Sequence, residues 1–387
     1  MNKNANIVEK MVLATIGHEK RQKIAIPVFS ILVALIAGGI VIALLGHNPF
    51  YAFYNLLQGC GIAPKASYAG KKGMITDFMD FMDNLTPMIF AALAVAVALR
   101  SGLFNIGVSG QMLAAGFLAT VTVGYTSLAA PIAKPLVVII GILAGACVGG
   151  LIGFLKYRFN INEVVSSIMI NYILEYVISF FINMYFVDPV SRQSKNVSTA
   201  ARLTLTDVEV GGYKMDIPLG IILAILTVFL VRFIMNRTVF GFEMKAVGCS
   251  RTAAKYAGIK VGKNIVITMV ISGALSGLAG VTYYLGYFAS IQPKVLTSTG
   301  FDAIAVSLLG NNNPVGIIFS SFLITVISKG STYMSSASGV QQEIASVITG
   351  IILLFSACGA FVRYKTGRLR DRQPCFDDPW RLHEKCW

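Results

Sequence analysis

Charge is what this chain is short of. Only 13% of its 387 residues are Asp, Glu, Lys or Arg, about half the share of a soluble domain. Histidine is scarce as well, with three residues, His18, His47 and His383, far apart along the chain. The six cysteines (Cys60, Cys147, Cys249, Cys358, Cys375, Cys386) form no CxxC pair. That spacing offers neither a zinc site nor a disulfide framework. No phosphate-binding loop is present: Asn264 follows Gly262-Lys263, and Ala257 stands where the first glycine of such a loop belongs. HExxH and GxSxG are missing too. With no constellation for chemistry on a substrate, a membrane enzyme is disfavoured. A chain of this kind that moves a solute uphill draws its energy from a partner ATPase or an ion gradient.

What is abundant is apolar. Hydrophobic residues make up 55% of the chain, and the mean hydropathy is +0.71. Apolar runs of about 16–24 residues recur from residue 24 to residue 362, the length that spans a bilayer as helix. The fold class is therefore all-α, a polytopic helical membrane protein. The net charge of +14 would suit nucleic acid, but the basic residues fall mainly in loops between apolar runs, as membrane topology requires.

The runs predict a cytoplasmic N-terminal segment (1–23), a transmembrane domain (24–362) and a basic cytoplasmic tail (363–387). Membrane helices are expected over Ile24–Leu45, Leu85–Leu99, Gly107–Leu128, Leu136–Leu155, Val164–Phe186, Ile217–Met235, Ile265–Gly286, Val315–Ser328 and Ile344–Val362. Counting the segment 300–313 as one more gives about ten crossings, and an even number keeps both termini inside. Residues 46–84 and 187–216 read as outer connections, the second either a plain solvated loop or a docking surface for a substrate-delivering protein. Gly141, Gly145, Gly149 and Gly153 recur every four residues, and Gly273 and Gly277 repeat the spacing. Such faces allow close helix packing or line a cavity.

The polar break Leu99–Met112 (LRSGLFNIGVSGQM) interrupts two apolar helices. It reads either as broken backbone at membrane depth beside a path, as in many transporters, or as a short cytoplasmic turn marked by Arg100. A second break, Asn311-Asn312-Asn313-Pro314, follows a short apolar run. The two halves of the chain echo each other weakly, which points to a site near the midplane. Asn171 and Glu175 share one face of the fifth helix. An ionisable residue there is a functional candidate, or a hydrogen-bonded helix contact. Between residues 236 and 263 lies a basic connection in which Arg251–Ile259 (RTAAKYAGI) predicts a short helix capped near Gly258. Such a stretch can also lie on anionic lipid.

Gly102, Phe104, Asn105, Ile106, Gly107, Gly110 and Gln111 stand at the spacing of the Gly-x-Phe-Asn-Ile-Gly-x-x-Gly-Gln run of bacterial ABC-importer permeases of the simple-sugar and nucleoside group. NEVVSSIMINYI, GFEMKAVGCSRTAAKYAGI, ISGALSGLAG and AVSLLGNNNPVG extend this resemblance over about residues 80–365. The nucleoside-type branch is more similar than the ribose-type branch, which lacks the Phe-Asn-Ile-Gly form. The resemblance implies a permease subunit in a bacterial cytoplasmic membrane. Its partners would be a second permease (identical or homologous), ATPase subunits that bind the ATP, and an extracellular binding protein. This chain would hold no cofactor. The resemblance also implies that Arg251, Ala253, Ala254, Tyr256, Ala257, Gly258 and Ile259 form a helix that docks on the ATPase. Phe104 could then stack on a base, and Asn105, Gln111 and Asn311–Asn313 could bond solute hydroxyls or base edges. On that reading Asn105→Ala lowers uptake and leaves assembly intact. The alternative is an ion-coupled secondary transporter using Glu175 and Asp302.

Overall fold

The computed structural model describes residues 19–68 and 70–357. Helix α1 (Glu19–Leu44) is followed by a short helix α2 (Pro49–Gly59), α3 (Met74–Arg100), α4 (Val108–Ala119), α5 (Ala130–Phe159) and α6 (Glu163–Phe181). A hairpin of β1 (Thr204–Val210) and β2 (Tyr213–Pro218) precedes α7 (Gly220–Arg237), α8 (Val239–Cys249), α9 (Arg251–Tyr256) and α10 (Val261–Thr282). Then come α11 (Thr299–Leu309), α12 (Pro314–Ser338) and α13 (Glu343–Ala357). Among the described residues seven helices are long and apolar enough to cross a membrane. Three shorter apolar helices accompany them: Val108–Gly124, Thr299–Leu309 and Glu343–Phe355. The expected segment 1–23 is described only from residue 19, and the tail 363–387 lies outside the described residues.

α3 is the axis of the bundle. Every residue from Leu85 to Ala98 is buried, and α10, α11, α12 and α7 pack around it. The helix begins at Met74, well before the expected Leu85, because its acidic first turns are paired rather than solvated. Asp77 lies 2.6 Å from Lys65, and Asp83 accepts from Thr204 at 3.2 Å. The expected loop 46–84 is therefore largely helical, with α2 in its first half.

α5 and α10 run antiparallel with almost no side chain between them. A Cβ on Gly145 would sit 2.2 Å from the carbonyl oxygen of Gly273, and one on Gly277 would sit 2.0 Å from that of Gly141. Gly149 and Gly153 meet Met269 in the same way. Lipid supplies no hydrophobic force between helices, so this close backbone approach is what dispersion needs to hold them. α12 continues to Ser338, ten residues beyond the expected Ser328. Small polar residues extend it because Gly330 lets α2 approach, a Cβ there falling 2.4 Å from the Leu56 carbonyl oxygen.

Two features depart from an all-α reading. The β1–β2 hairpin turns through Gly211 and Gly212, both at positive φ, as a two-residue hairpin loop with that backbone requires. It pairs Val208 with Met215 and Val210 with Tyr213. A period-2 signal over so few residues is lost inside a mixed-charge loop. The second feature is that α4, α6 and α10 each end in a π-helical turn: Thr120–Gly124, Ile182–Phe186 and Tyr283–Tyr287. All three lie at the end of the bundle opposite the one carrying Lys156, Arg158, Arg237, Arg251 and Lys255. The two ends are called here the far end and the basic end.

Candidate translocation site

The first break enters the bundle rather than lying across its end. Asn105 donates from Nδ2 to Ser272 Oγ at 2.8 Å, and Ser272 donates to the Ala94 carbonyl at 2.7 Å. Ala94 lies six residues before the end of α3, about 9 Å above that end at 1.5 Å per residue. Asn105 and Gln111 are 1% and 0% exposed and bond each other twice, at 3.1 and 3.3 Å. Asn105 Oδ1 also accepts the Gly107 N–H at 3.0 Å. Asn171, 2% exposed, reaches across from α6. It accepts the Gly110 N–H at 3.0 Å and donates to the Ile106 carbonyl at 3.0 Å. Asn105 and Asn171 thus satisfy backbone groups that the interruption of the helix strands, with Gln111 holding Asn105 in place, which is how non-helical backbone persists at membrane depth. Phe104 and Glu175 are half-buried, and Glu175 is joined to this group only by its shared helix with Asn171.

The second break is built by the backbone. Asn311 and Asn312 adopt positive φ, 54° and 52°, which asparagine tolerates better than most residues. Ser307 Oγ donates to Asn312 Oδ1 at 2.8 Å. Asn313 caps α12, its side chain accepting the Val315 N–H at 3.2 Å, with Pro314 in the first turn. Asp302 lies on α11, half-buried, in the first turn of that helix.

The two breaks meet at the basic end, and the short helix α9 is tied to the first of them there. Arg100 Nε donates to the Asn312 carbonyl at 3.1 Å. Arg251, the first residue of α9, donates to the Gly102 carbonyl at 3.2 Å. Gly102 and Gly248 touch backbone to backbone: a Cβ on Gly248 would lie 2.3 Å from the Arg100 carbonyl oxygen. α9 itself is capped at both ends. Ser250 accepts the Ala253 N–H at 3.3 Å, and Gly258 closes the helix at φ +81°. Ala254 faces the protein, 3% exposed, while Tyr256 projects with 89% of its surface free. Arg251, Ala253, Ala257 and Gly258 are exposed with it, and Ile259 is half-buried.

Reading the sequence missed two features. Lys329 lies inside α12, donating to the Tyr287 hydroxyl at 2.8 Å and sitting 4.8 Å from the centre of that ring. Lys329 follows the apolar run directly, so ending the helix at Ser328 placed it outside. The second is a cleft at the far end of about 80 Å³, lined by Gln193, Tyr283, Phe288, Ser290, Gln292 and Thr297 among others. Two loops build it. Val197 N–H donates to the Ala289 carbonyl and Ser194 N–H to the Ile291 carbonyl, both at 2.9 Å, and Ser194 Oγ accepts the Ile291 N–H at 2.8 Å. The Ser194 and Ile291 partners are 97 residues apart in the chain, so no local pattern announces them.

Among the described residues, seven helices long and apolar enough to span a membrane, two internal breaks braced by amides, and an exposed helix tied to the first break define a polytopic membrane transport subunit. Residues 79–357 match the family model described as branched-chain amino acid transport system / permease component, and the chain belongs to that family. It is 36% identical over 350 residues to the guanosine ABC transporter permease NupP of Bacillus subtilis, covering 90% of this chain and 97% of that one. It is 32% identical to the nucleoside ABC transporter permease NupB of Lactococcus lactis, covering 88% and 92%. It is 27% identical to the glucose ABC transporter permease TsgB13 of Haloferax volcanii, covering 90% of each. The chain is therefore a multi-pass ABC transporter permease of the cell membrane, a transporter subunit rather than an enzyme. This membership disfavours the ion-coupled alternative built on Glu175 and Asp302.

Proposed function

We propose that this chain forms, with a second permease chain, the path by which a nucleoside enters the cell, driven by ATP bound to separate ATPase subunits. The nucleoside assignment is supported by the full-length similarity to NupP and NupB. The basic end is the cytoplasmic end by its excess of Lys and Arg. The seven long and three short apolar helices then serve as ten crossings with both termini inside. An extracellular binding protein delivers the solute to the far end, where the loop around residues 187–203 and the β1–β2 hairpin lie. α3–break–α4 and α11–break–α12 are the paired interrupted elements of the two halves.

The observation that carries the mechanism is the bond from Arg251 to Gly102. The ATPase seats on the exposed face of α9 formed by Ala253, Tyr256 and Ala257. When ATP draws the two ATPases together, α9 moves, and Arg251 together with the Gly248–Gly102 contact carries the movement to the first break. Arg100 carries it on to Asn312 and the second break. The cavity between the two permeases then switches from inward- to outward-facing, and hydrolysis resets it. The burial of Asn105, Gln111 and Asn171 favours a bracing role for them in the wall of the path. Phe104 and Glu175, half-buried, keep the solute-facing role.

The test is an affinity purification from gently solubilised membranes together with uptake of radiolabelled guanosine. A stoichiometric ATPase subunit is expected, lost when Tyr256 and Ala257 are both changed to aspartate. Recovery of the chain without any ATPase, with uptake abolished by a protonophore at constant ATP, overturns the proposal.

A further inference from the structure

We propose that the far-end cleft between Tyr283, Phe288, Gln193 and Gln292 binds the planar, uncharged base of the solute before it reaches the paired breaks. The inference rests on the nucleoside reading above and assigns that reading a site.

The cleft has the two chemistries a nucleobase uses. Phe288 is a platform: its ring centre lies 4.9 Å from that of Tyr283 and 4.7 Å from that of Tyr287, yet 52% of it stays exposed. A ring fixed by neighbours and still half uncovered suits stacking, which is indifferent to which base is offered because every base has a π-face. The edge of a base presents donors and acceptors together, and side-chain amides present both as well. Gln193 and Gln292 supply two, from two separate loops. Ser290 Oγ donates to Gln193 Oε1 at 2.7 Å, which fixes that amide so that its NH₂ is the end left for a ligand.

Position and charge narrow the ligand further. α11 has 11 residues, about 16 Å at 1.5 Å per residue, or half the hydrocarbon thickness. Its Asn312 end is held at Arg100, so the segment before Thr299 descends from the π turn at Tyr283–Tyr287 to about mid-depth. Thr297, at the floor of the cleft, accepts through its carbonyl from Ser109 Oγ at 2.9 Å. Ser109 belongs to α4, two residues from Gln111, so the cleft ends on the element that carries the first break. None of the lining residues is Asp, Glu, Lys or Arg. A neutral nucleoside meets no charged side chain in that lining, and a nucleotide finds no cation in it for its phosphate.

The experiment is saturation-transfer NMR on the permease–ATPase complex in nanodiscs without its binding protein, using guanosine, ribose and guanosine 5′-monophosphate as probes. Saturation of the guanosine base proton is expected, with no signal from ribose and a much weaker one from the monophosphate. Phe288→Ala abolishes the base signal and raises the KM for guanosine uptake about ten-fold, whereas Phe288→Trp retains both. Gln292→Ala weakens the signal. An equal base signal in wild type and Phe288→Ala overturns the inference, as does an absent signal in a wild type that transports. The second result would leave Phe288 as an aromatic anchor at the membrane interface. In both cases wild-type guanosine uptake leaves the nucleoside permease reading standing. A wild type that takes up no nucleoside refutes that reading itself.

Discussion

Replacing Asn105 by alanine removes the brace of the first break. Asn105 makes four contacts: it donates to Gln111 Oε1 and Ser272 Oγ, and it accepts from Gly107 N–H and Gln111 Nε2. Ser272 keeps its own bond to the Ala94 carbonyl, so it is not stranded. The Gly107 N–H and the Gln111 amide are. Each buried group left unsatisfied costs about 1–3 kcal/mol, and the low end applies in a membrane interior, where measured hydrogen bonds average nearer 0.6 kcal/mol. The loss is about 2 kcal/mol, or a fall of about 2–3 °C in unfolding midpoint by the usual per-residue scaling for a chain of 387 residues. The assay is thermal unfolding of the detergent-purified complex, followed by a thiol-reactive dye, alongside uptake. In a double-mutant cycle with Gln111→Ala the two changes are less than additive by about 1 kcal/mol, because they share a network. An unchanged midpoint with lost uptake refutes the reasoning. That outcome would return Asn105 to the role its sequence position first suggested, contact with the solute.

Four further outcomes follow from the structure. Gly145→Leu puts a side chain where a Cβ alone would lie 2.2 Å from the Gly273 carbonyl oxygen, so α5 and α10 separate and little chain accumulates in the membrane on quantitative blotting. Gly350→Ala, on α13 with nothing within 4 Å of the added Cβ, leaves the level unchanged or raises the midpoint, a gain of about 0.5–1 kcal/mol in a helix interior. Arg100→Ala cuts the bond to Asn312. ATP hydrolysis by the assembled complex continues while solute moved per ATP falls several-fold, and an unchanged ratio in reconstituted vesicles removes Arg100 from the linkage. Lys329→Met takes away the donor to Tyr287 and is expected to lower the unfolding midpoint by about 1–2 °C.

The membrane class, most of the spanning helices and the two breaks were legible in the sequence, because each is a local property. An apolar run of the right length has few alternatives in lipid, and a cluster of Gly, Asn and Pro inside one must interrupt it. Glycines spaced by four mark a face whatever that face later meets. The short basic helix was readable from the glycine that closes it, Gly258, while its opening cap, Ser250, came only with the structure.

Where local rules misjudged, the deciding partner was distant in sequence. Asp77 and Asp83 looked like loop residues, and only Lys65 and Thr204 make them helical. The amides of Asn105 and Gln111 looked available, and only Ser272 and the fold of the break on itself bury them. The join of Arg251 to Gly102, of Arg100 to Asn312, and of Ser194 to Ile291 links segments that no periodicity relates. The sequence by itself determined that this chain lives in a membrane, where its helices break and which end is basic, because hydropathy, charge and backbone freedom act residue by residue. Tertiary structure alone decided which polar groups are spent on bracing and which remain open, because a hydrogen bond across the bundle depends on two positions at once.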